Sequence, residues 1–264
     1  MPVLALNGHS LHYEVSGEGP WLTLSHSLAA DLTMWDAQMA ALSGQFRILR
    51  YDLRGHGLSS VPPSPWTFAD LVNDVLALWD HLGIERSHFV GLSLGGMIGQ
   101  YLALAAPERI DRLVLCSTSS GKGANPEAVA KLWEQRIAQV EAGGMASVVE
   151  ATLNRWFTEP YQLDFPAEVA RIGGLIATTP VAGYAACGRL IASLDTTDRL
   201  SGITLPTMVL AGDEDAGTMP AMAETIAAAI PGSRFEVLPQ ASHLINVEQE
   251  ELFNALLSAF LAPL

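Results

Sequence analysis

A serine, a histidine and a cluster of carboxylates stand in an order that suits acyl transfer. Ser93 sits in Gly91-Leu92-Ser93-Leu94-Gly95, after the apolar run Ser87-His88-Phe89-Val90 and before Gly96 to Leu104, which reads as helix. A G-x-S-x-G serine between strand and helix occupies a tight turn that its small neighbours permit, with its hydroxyl exposed at the positive end of a helix. Serine is a weak nucleophile at neutral pH, so it needs a base, itself oriented by a carboxylate. His243, in Ala241-Ser242-His243-Leu244, is the base candidate, because the other histidines lie before the elbow or within its strand. Gly212-Asp213-Glu214-Asp215 offers three carboxylates after a strand ending at Ala211. The turn begun by Gly212 must travel outward before pointing back, which favours Asp215, with Asp213 as the alternative.

Acyl transfer also requires donors for the tetrahedral oxyanion, and backbone amides supply them. The residue after the nucleophile, Leu94, gives one. Ser25-His26-Ser27-Leu28 follows an early strand, so the Leu28 amide is the expected second donor. His26 is expected to pack beneath that loop, and His56 to hold its own turn by hydrogen bonding.

The elements that must position these groups alternate. Val3 to Leu6 and Leu11 to Val15 flank Asn7-Gly8, a hairpin turn signal. Further strands are expected at Trp21 to Leu24, Phe46 to Tyr51, before the elbow, at Ile110 to Cys116, Thr207 to Ala211 and Arg234 to Leu238. Helices are expected at about Thr33 to Leu42, Thr67 to Leu82, after the elbow, and after each of the last two strands. This predicts an α/β fold, a mostly parallel eight-stranded sheet flanked by helices, with ligands beyond the C-terminal strand ends. Residues 121–195 break the rhythm and read as an inserted helical cap, leaving 1–120 and 196–264 as the core. Asn125-Pro126 starts the first cap helix and Gly143-Gly144 stops it.

Composition narrows the function classes. The 264 residues are 49% hydrophobic and 16% charged, as in a globular enzyme, and the formal charge of −14 would repel nucleic acid and acidic membranes. No stretch has the roughly 20 apolar residues of a spanning helix, and the N-terminus lacks signal-peptide order, so a cytoplasmic location is the default expectation. Cys116 and Cys187 have no metal-ligand spacing and read as free buried thiols. A small-molecule substrate follows; oligomeric state is not readable.

Taken together, the elbow, the His26-Ser27-Leu28 loop, the turn Tyr51-Asp52-Leu53-Arg54-Gly55-His56-Gly57-Leu58-Ser59, Asp215 and His243 resemble the α/β-hydrolase family over the whole chain. Within it, the chain is similar to the 3-oxoadipate enol-lactonases of aromatic catabolism, in which His-Ser-Leu replaces the commoner His-Gly-x. Asp31, Met34-Trp35-Asp36, Arg155-Trp156-Phe157-Thr158, Thr179-Pro180-Val181-Ala182-Gly183-Tyr184 and Val247-Glu248 carry that likeness.

The resemblance implies that Ser93, deprotonated by His243, attacks the ring carbonyl of a carboxylated enol-lactone. The ring oxygen leaves as an enol or enolate, and water then releases the acyl group; no metal or organic cofactor is required. A carboxylated substrate calls for a positive group facing the pocket. Val129, Trp133, Arg136 and Val140 share one face of the first cap helix, which puts Arg136 on an apolar stripe. Arg155 beside Trp156 is the second candidate, and Trp133 and Trp156 are either core or substrate contacts. Arg136 could instead pair with Glu141 or Glu150. A general carboxylesterase, another lactonase such as one acting on acyl-homoserine lactones, and a ligand-binding receptor on the same fold remain open. Haloalkane dehalogenase chemistry would need an aspartate where Ser93 stands.

Overall fold

The computed structural model describes residues 2–121, 123 and 125–262; Met1, Lys122, Ala124, Pro263 and Leu264 lie outside it. β1 (Val3–Leu6) and β2 (His9–Ser16) pair antiparallel around Asn7-Gly8, where Gly8 takes φ 92°. β3 (Trp21–Ser25), α1 (Asp36–Leu42) and β4 (Arg47–Tyr51) follow. The helix expected from Thr33 is split: Leu32–Trp35 forms a 3₁₀ turn before α1. The Asp31 carboxylate accepts the Thr33 amide at 2.8 Å and fixes a tighter start than an α-helix has.

α2 (Phe68–Leu82) opens on a capping box between Thr67 and Asp70 and stops at left-handed Gly83. β5 (Ser87–Leu92), α3 (Leu94–Ala105) and β6 (Ile110–Cys116) complete the central part. Among the described residues five α-helices then intervene: α4 (Pro126–Gly143), α5 (Val149–Trp156), α6 (Glu159–Asp164), α7 (Pro166–Thr178) and α8 (Val181–Ala192). β7 (Thr207–Gly212), α9 (Pro220–Ala229), β8 (Arg234–Leu238), α10 (Ile245–Glu248) and α11 (Glu250–Leu261) end the chain.

The strands form one sheet of eight in the order β1-β2-β4-β3-β5-β6-β7-β8. The first two pairings, β1 with β2 and β2 with β4, are antiparallel and the rest parallel. β5 and β7 are buried along their whole length, as helices on both faces of a parallel sheet require. α8 meets the loop after β4 through two glycines: a Cβ on Gly183 would lie 2.0 Å from the Gly55 carbonyl oxygen. No side chain fits between those backbones. Among the described residues, no single helix is long and apolar enough to cross a membrane.

Candidate active site

Ser93 joins β5 to α3 with φ 57° and ψ −113°, a conformation costly for any residue with a Cβ. Its flanking glycines make the turn physically accessible. A Cβ on Gly91 would stand 2.2 Å from the Gly95 carbonyl oxygen, and one on Gly95 would stand 2.1 Å from that of Ser25. The strained backbone is pinned from both sides, since the Ser93 amide donates to the Cys116 carbonyl and the Thr118 hydroxyl to the Ser93 carbonyl, each at 2.8 Å.

His243 lies in the loop after β8, and its Nδ1 is 2.8 Å from Asp215 Oδ2. The carboxylate is itself well held. Asp215 Oδ1 accepts the Gly217 and Thr218 amides at 2.8 and 2.9 Å, and Oδ2 accepts the Thr218 hydroxyl at 2.6 Å. Burial pushes the Asp215 carboxyl up, but the facing imidazole and the Thr218 bonds outweigh it and hold the group at about 2. With Nδ1 donating to this carboxylate, Nε2 is the nitrogen left to accept a proton. Asp213, the other candidate, is exposed and accepts the Ala241 amide at 3.2 Å instead.

Ser93 and His243 border one cavity of about 300 Å³, together with Leu28, Met97, Trp133, Arg136, Arg155, Trp156, Tyr184 and Thr218. Among the described residues, neither the Leu28 amide nor the Leu94 amide has a hydrogen-bond acceptor. The loop carrying Leu28 is shaped by two histidines. His26 donates from Nδ1 to the Ser27 carbonyl at 2.7 Å and accepts the Leu53 amide on Nε2 at 2.9 Å. His56 accepts the Ala29 amide on Nε2 at 3.1 Å and donates from Nδ1 to the Arg54 carbonyl at 3.2 Å, holding Ala29 at φ 59°. Burial lowers His26 to about 4 and His56 to about 3, so both rings are neutral and able to accept.

Arg136 on α4 and Arg155 on α5 both face this cavity, and neither forms an ion pair among the described residues. Arg155 donates to the Thr152 hydroxyl at 3.1 Å, and the Arg136 guanidinium lies 5.0 Å from the centre of the Trp133 ring. Burial lowers both guanidinium pKa values, and the charge of Arg136 lowers that of Arg155 further. Of the acids considered as partners for Arg136, Glu141 instead bonds Arg189 at 3.1 Å. Trp156 is buried and its ring lies 6.0 Å from that of His243, at 25° between planes; Trp133 is half-buried and packs against Tyr184.

Spacing alone does not single out Thr218 and Tyr184, which also line this cavity. Thr218 had one usable signal, since a hydroxyl three residues after a turn carboxylate can bond back to it. Cys116 and Cys187 are free and buried, and burial raises both thiols, Cys187 to about 12, which disfavours the reactive thiolate. No group of three or more His, Cys, Asp or Glu able to hold a metal occurs among the described residues.

Comparison with known proteins agrees with this architecture. The family model described as the alpha/beta hydrolase fold matches residues 20–250. 3-oxoadipate enol-lactonase 2 of Acinetobacter baylyi is 36% identical, over 93% of this chain and 90% of its own. An enol-lactonase from Burkholderia xenovorans LB400 superposes with a TM-score of 0.94 at 40% identity, covering 98% of this chain and 99% of that one. RutD of Agrobacterium fabrum, whose name is provisionally that of a carbamate hydrolase, is 31% identical over 96% of this chain and 98% of its own. Eight strands in this order, a strained serine between β5 and α3 and relatives matched almost end to end lead to one conclusion: the chain belongs to the α/β-hydrolase family.

Proposed function

We propose that this hydrolase opens the ring of a small carboxylated lactone, 3-oxoadipate enol-lactone, to 3-oxoadipate through an acyl-enzyme on Ser93. One observation carries the choice of substrate. Two guanidiniums, half-buried and without carboxylate partners among the described residues, border the same cavity as Ser93 and His243. Desolvated cations left without a partner favour an anionic ligand, and the planar fork of arginine suits a carboxylate. The similarity to enol-lactonases supports the same choice.

In this reading the Ser93 proton passes to His243 Nε2 as Oγ bonds to the lactone carbonyl carbon, and the Leu28 and Leu94 amides hold the oxyanion. Collapse breaks the ring C–O bond. The departing enol oxygen takes the proton from His243 and tautomerises to a ketone, which makes ring opening effectively irreversible. Water, deprotonated by His243, then attacks the acyl carbon and frees Ser93. Residues 121–195 act as a cap that closes the site, on a core of 1–120 and 196–264. The substrate is a small molecule rather than nucleic acid or a membrane, and the cytoplasm is the compartment we assign.

The test is turnover of the enol-lactone, followed by loss of its ultraviolet absorbance, beside p-nitrophenyl acetate. A kcat/KM at least about 100-fold higher for the lactone is expected, since a guanidinium–carboxylate contact contributes about 2–3 kcal/mol. Activity on the simple ester alone would make the protein a general carboxylesterase. If Ser93→Ala left the biological activity intact while ligand still bound, a receptor role would replace catalysis.

A further inference from the structure

The end of α5 and the loop carrying His243 form a single hydrogen-bonded knot. The Trp156 carbonyl accepts the His243 and Leu244 amides, both at 3.2 Å, and the Ser242 hydroxyl donates to the Arg155 carbonyl at 2.9 Å. Glu248, at the end of α10, closes it. Its Oε1 accepts the Thr158 amide at 2.7 Å and the Thr158 hydroxyl at 2.9 Å, and its Oε2 accepts the Ser242 amide at 2.5 Å. Glu248 pairs with no cation among the described residues, so its carboxylate serves as a three-bond clasp rather than half of an ion pair. Residues 155, 156 and 158 thus grip 242–244 and 248. The first of them bears a guanidinium at the cavity.

We propose that Glu248 is a positioning residue that makes Arg155 and the His243 loop one mechanical unit, so that docking a substrate carboxylate on Arg155 contributes to kcat by aligning the base. The proposal rests on the lactonase reading for the anion. Its logic is that binding energy from a non-reacting part of the substrate raises kcat only where it bears on the reacting geometry. Here the path is short: a load on the last turn of α5 reaches the His243 amide through the Trp156 carbonyl and Ser242 through the Arg155 carbonyl, while Glu248 ties the following Thr158 to the same loop. With the clasp open, the Trp156 and Arg155 carbonyls alone tie α5 to the loop, the two shift more independently, and the arginine then affects binding more than chemistry.

Glu248→Gln opens one half of the clasp at constant size, because an amide presents only one acceptor oxygen and sets its NH₂ against the Thr158 or the Ser242 donor. Steady-state kinetics on the enol-lactone with the full chain, Arg155→Gln, Glu248→Gln and the double variant form a cycle. Arg155→Gln is expected to lower kcat by about tenfold or more alone, but by less than about threefold in the Glu248→Gln background, while its effect on KM persists in both. An equal kcat loss in both backgrounds overturns the proposal. Should Glu248→Gln fail to fold, Ser242→Ala leaves the Glu248 bonds in place but removes the hydroxyl bond to the Arg155 carbonyl, a parallel tie between α5 and the His243 loop, and should shrink the kcat effect of Arg155→Gln in the same direction; an unchanged effect overturns the proposal. If the chain leaves the lactone intact yet cleaves p-nitrophenyl acetate, the substrate reading fails and the clasp is judged on the ester. There a fall of about tenfold in kcat for Glu248→Gln at unchanged KM supports the positioning role, and an unchanged kcat refutes it.

Discussion

Asp215 and Asp213 stand two residues apart with opposite surroundings, which makes them a direct test of the acid. Asp215 is 2% exposed and bonded to His243, whereas Asp213 is exposed and bonded only to a backbone amide. Asp215→Asn should lower kcat by about 10,000-fold, because an amide facing Nδ1 favours the wrong imidazole tautomer. Asp213→Asn should stay within about tenfold, since it removes one exposed bond; the reverse order in the kcat of the two purified variants would reassign the acid. Ser93, Asp215 and His243 could be picked out from sequence because each sits at a locally recognisable place: a G-x-S-x-G turn, and the loops after two apolar runs. Thr218 could not be weighted in the same way. Its value comes from reaching Asp215 and approaching His243 Nδ1 at 3.2 Å, a relation set by the fold of two loops.

Two connections between elements have measurable consequences, the first being the loop carrying Leu28 and the turn after β4. His26 and His56 bridge them only while neutral, since each uses one ring nitrogen to accept a backbone amide. Their folded values of about 4 and about 3 lie below the ordinary value for histidine of about 6.5, so the unfolded chain binds more protons between those limits. Their contribution is therefore intact above about pH 6.5 and declines as pH falls through the folded values, by at most about 1.4 kcal/mol per pH unit for each ring. Urea unfolding from pH 7 to 4.5 should show a shallower acid loss in His56→Gln, whose amide oxygen can accept from Ala29 without titrating; parallel curves would refute this. The second connection is α8 against the loop after β4, where Gly183→Ala places a methyl group against the Gly55 carbonyl and should cost about 2 kcal/mol or more by denaturant titration. A loss below about 0.5 kcal/mol would mean that the backbones separate easily. Strands such as Ile110–Cys116 and Arg234–Leu238 were legible because apolar runs and turn residues are local signals. The break before α1 was not, because the capping bond from the Thr33 amide to Asp31 that tightens this turn is a contact only the folded loop shows. Nor was the number of helices between β6 and β7, where packing of one helix on another, rather than a sheet, decides the boundaries.

At the scale of the whole molecule, two electrostatic effects oppose each other. The chain carries a formal charge of −14, which repels an anionic lactone, while Arg136 and Arg155 offer a local positive field inside the cavity. The sequence shows the total and suggests the two arginines, but their lack of carboxylate partners among the described residues emerges only from the folded arrangement, which commits Glu141 to Arg189 and Glu168 to Arg171. Ionic strength separates the two fields by range. At 0.01 M the screening length is about 30 Å, so the net charge acts across the molecule; at about 0.15 M it is near 8 Å, and only groups close to the cavity still act. Direct contacts between a carboxylate and partly desolvated guanidiniums are screened much less than exposed charges. Raising salt across this range should therefore increase kcat/KM for the lactone by about two- to threefold, through relief of long-range repulsion, and leave neutral p-nitrophenyl acetate unchanged. A fall in kcat/KM for the lactone over the same range would show that the arginines already dominate the approach, and that the acidic surface lies too far from the entrance to be felt.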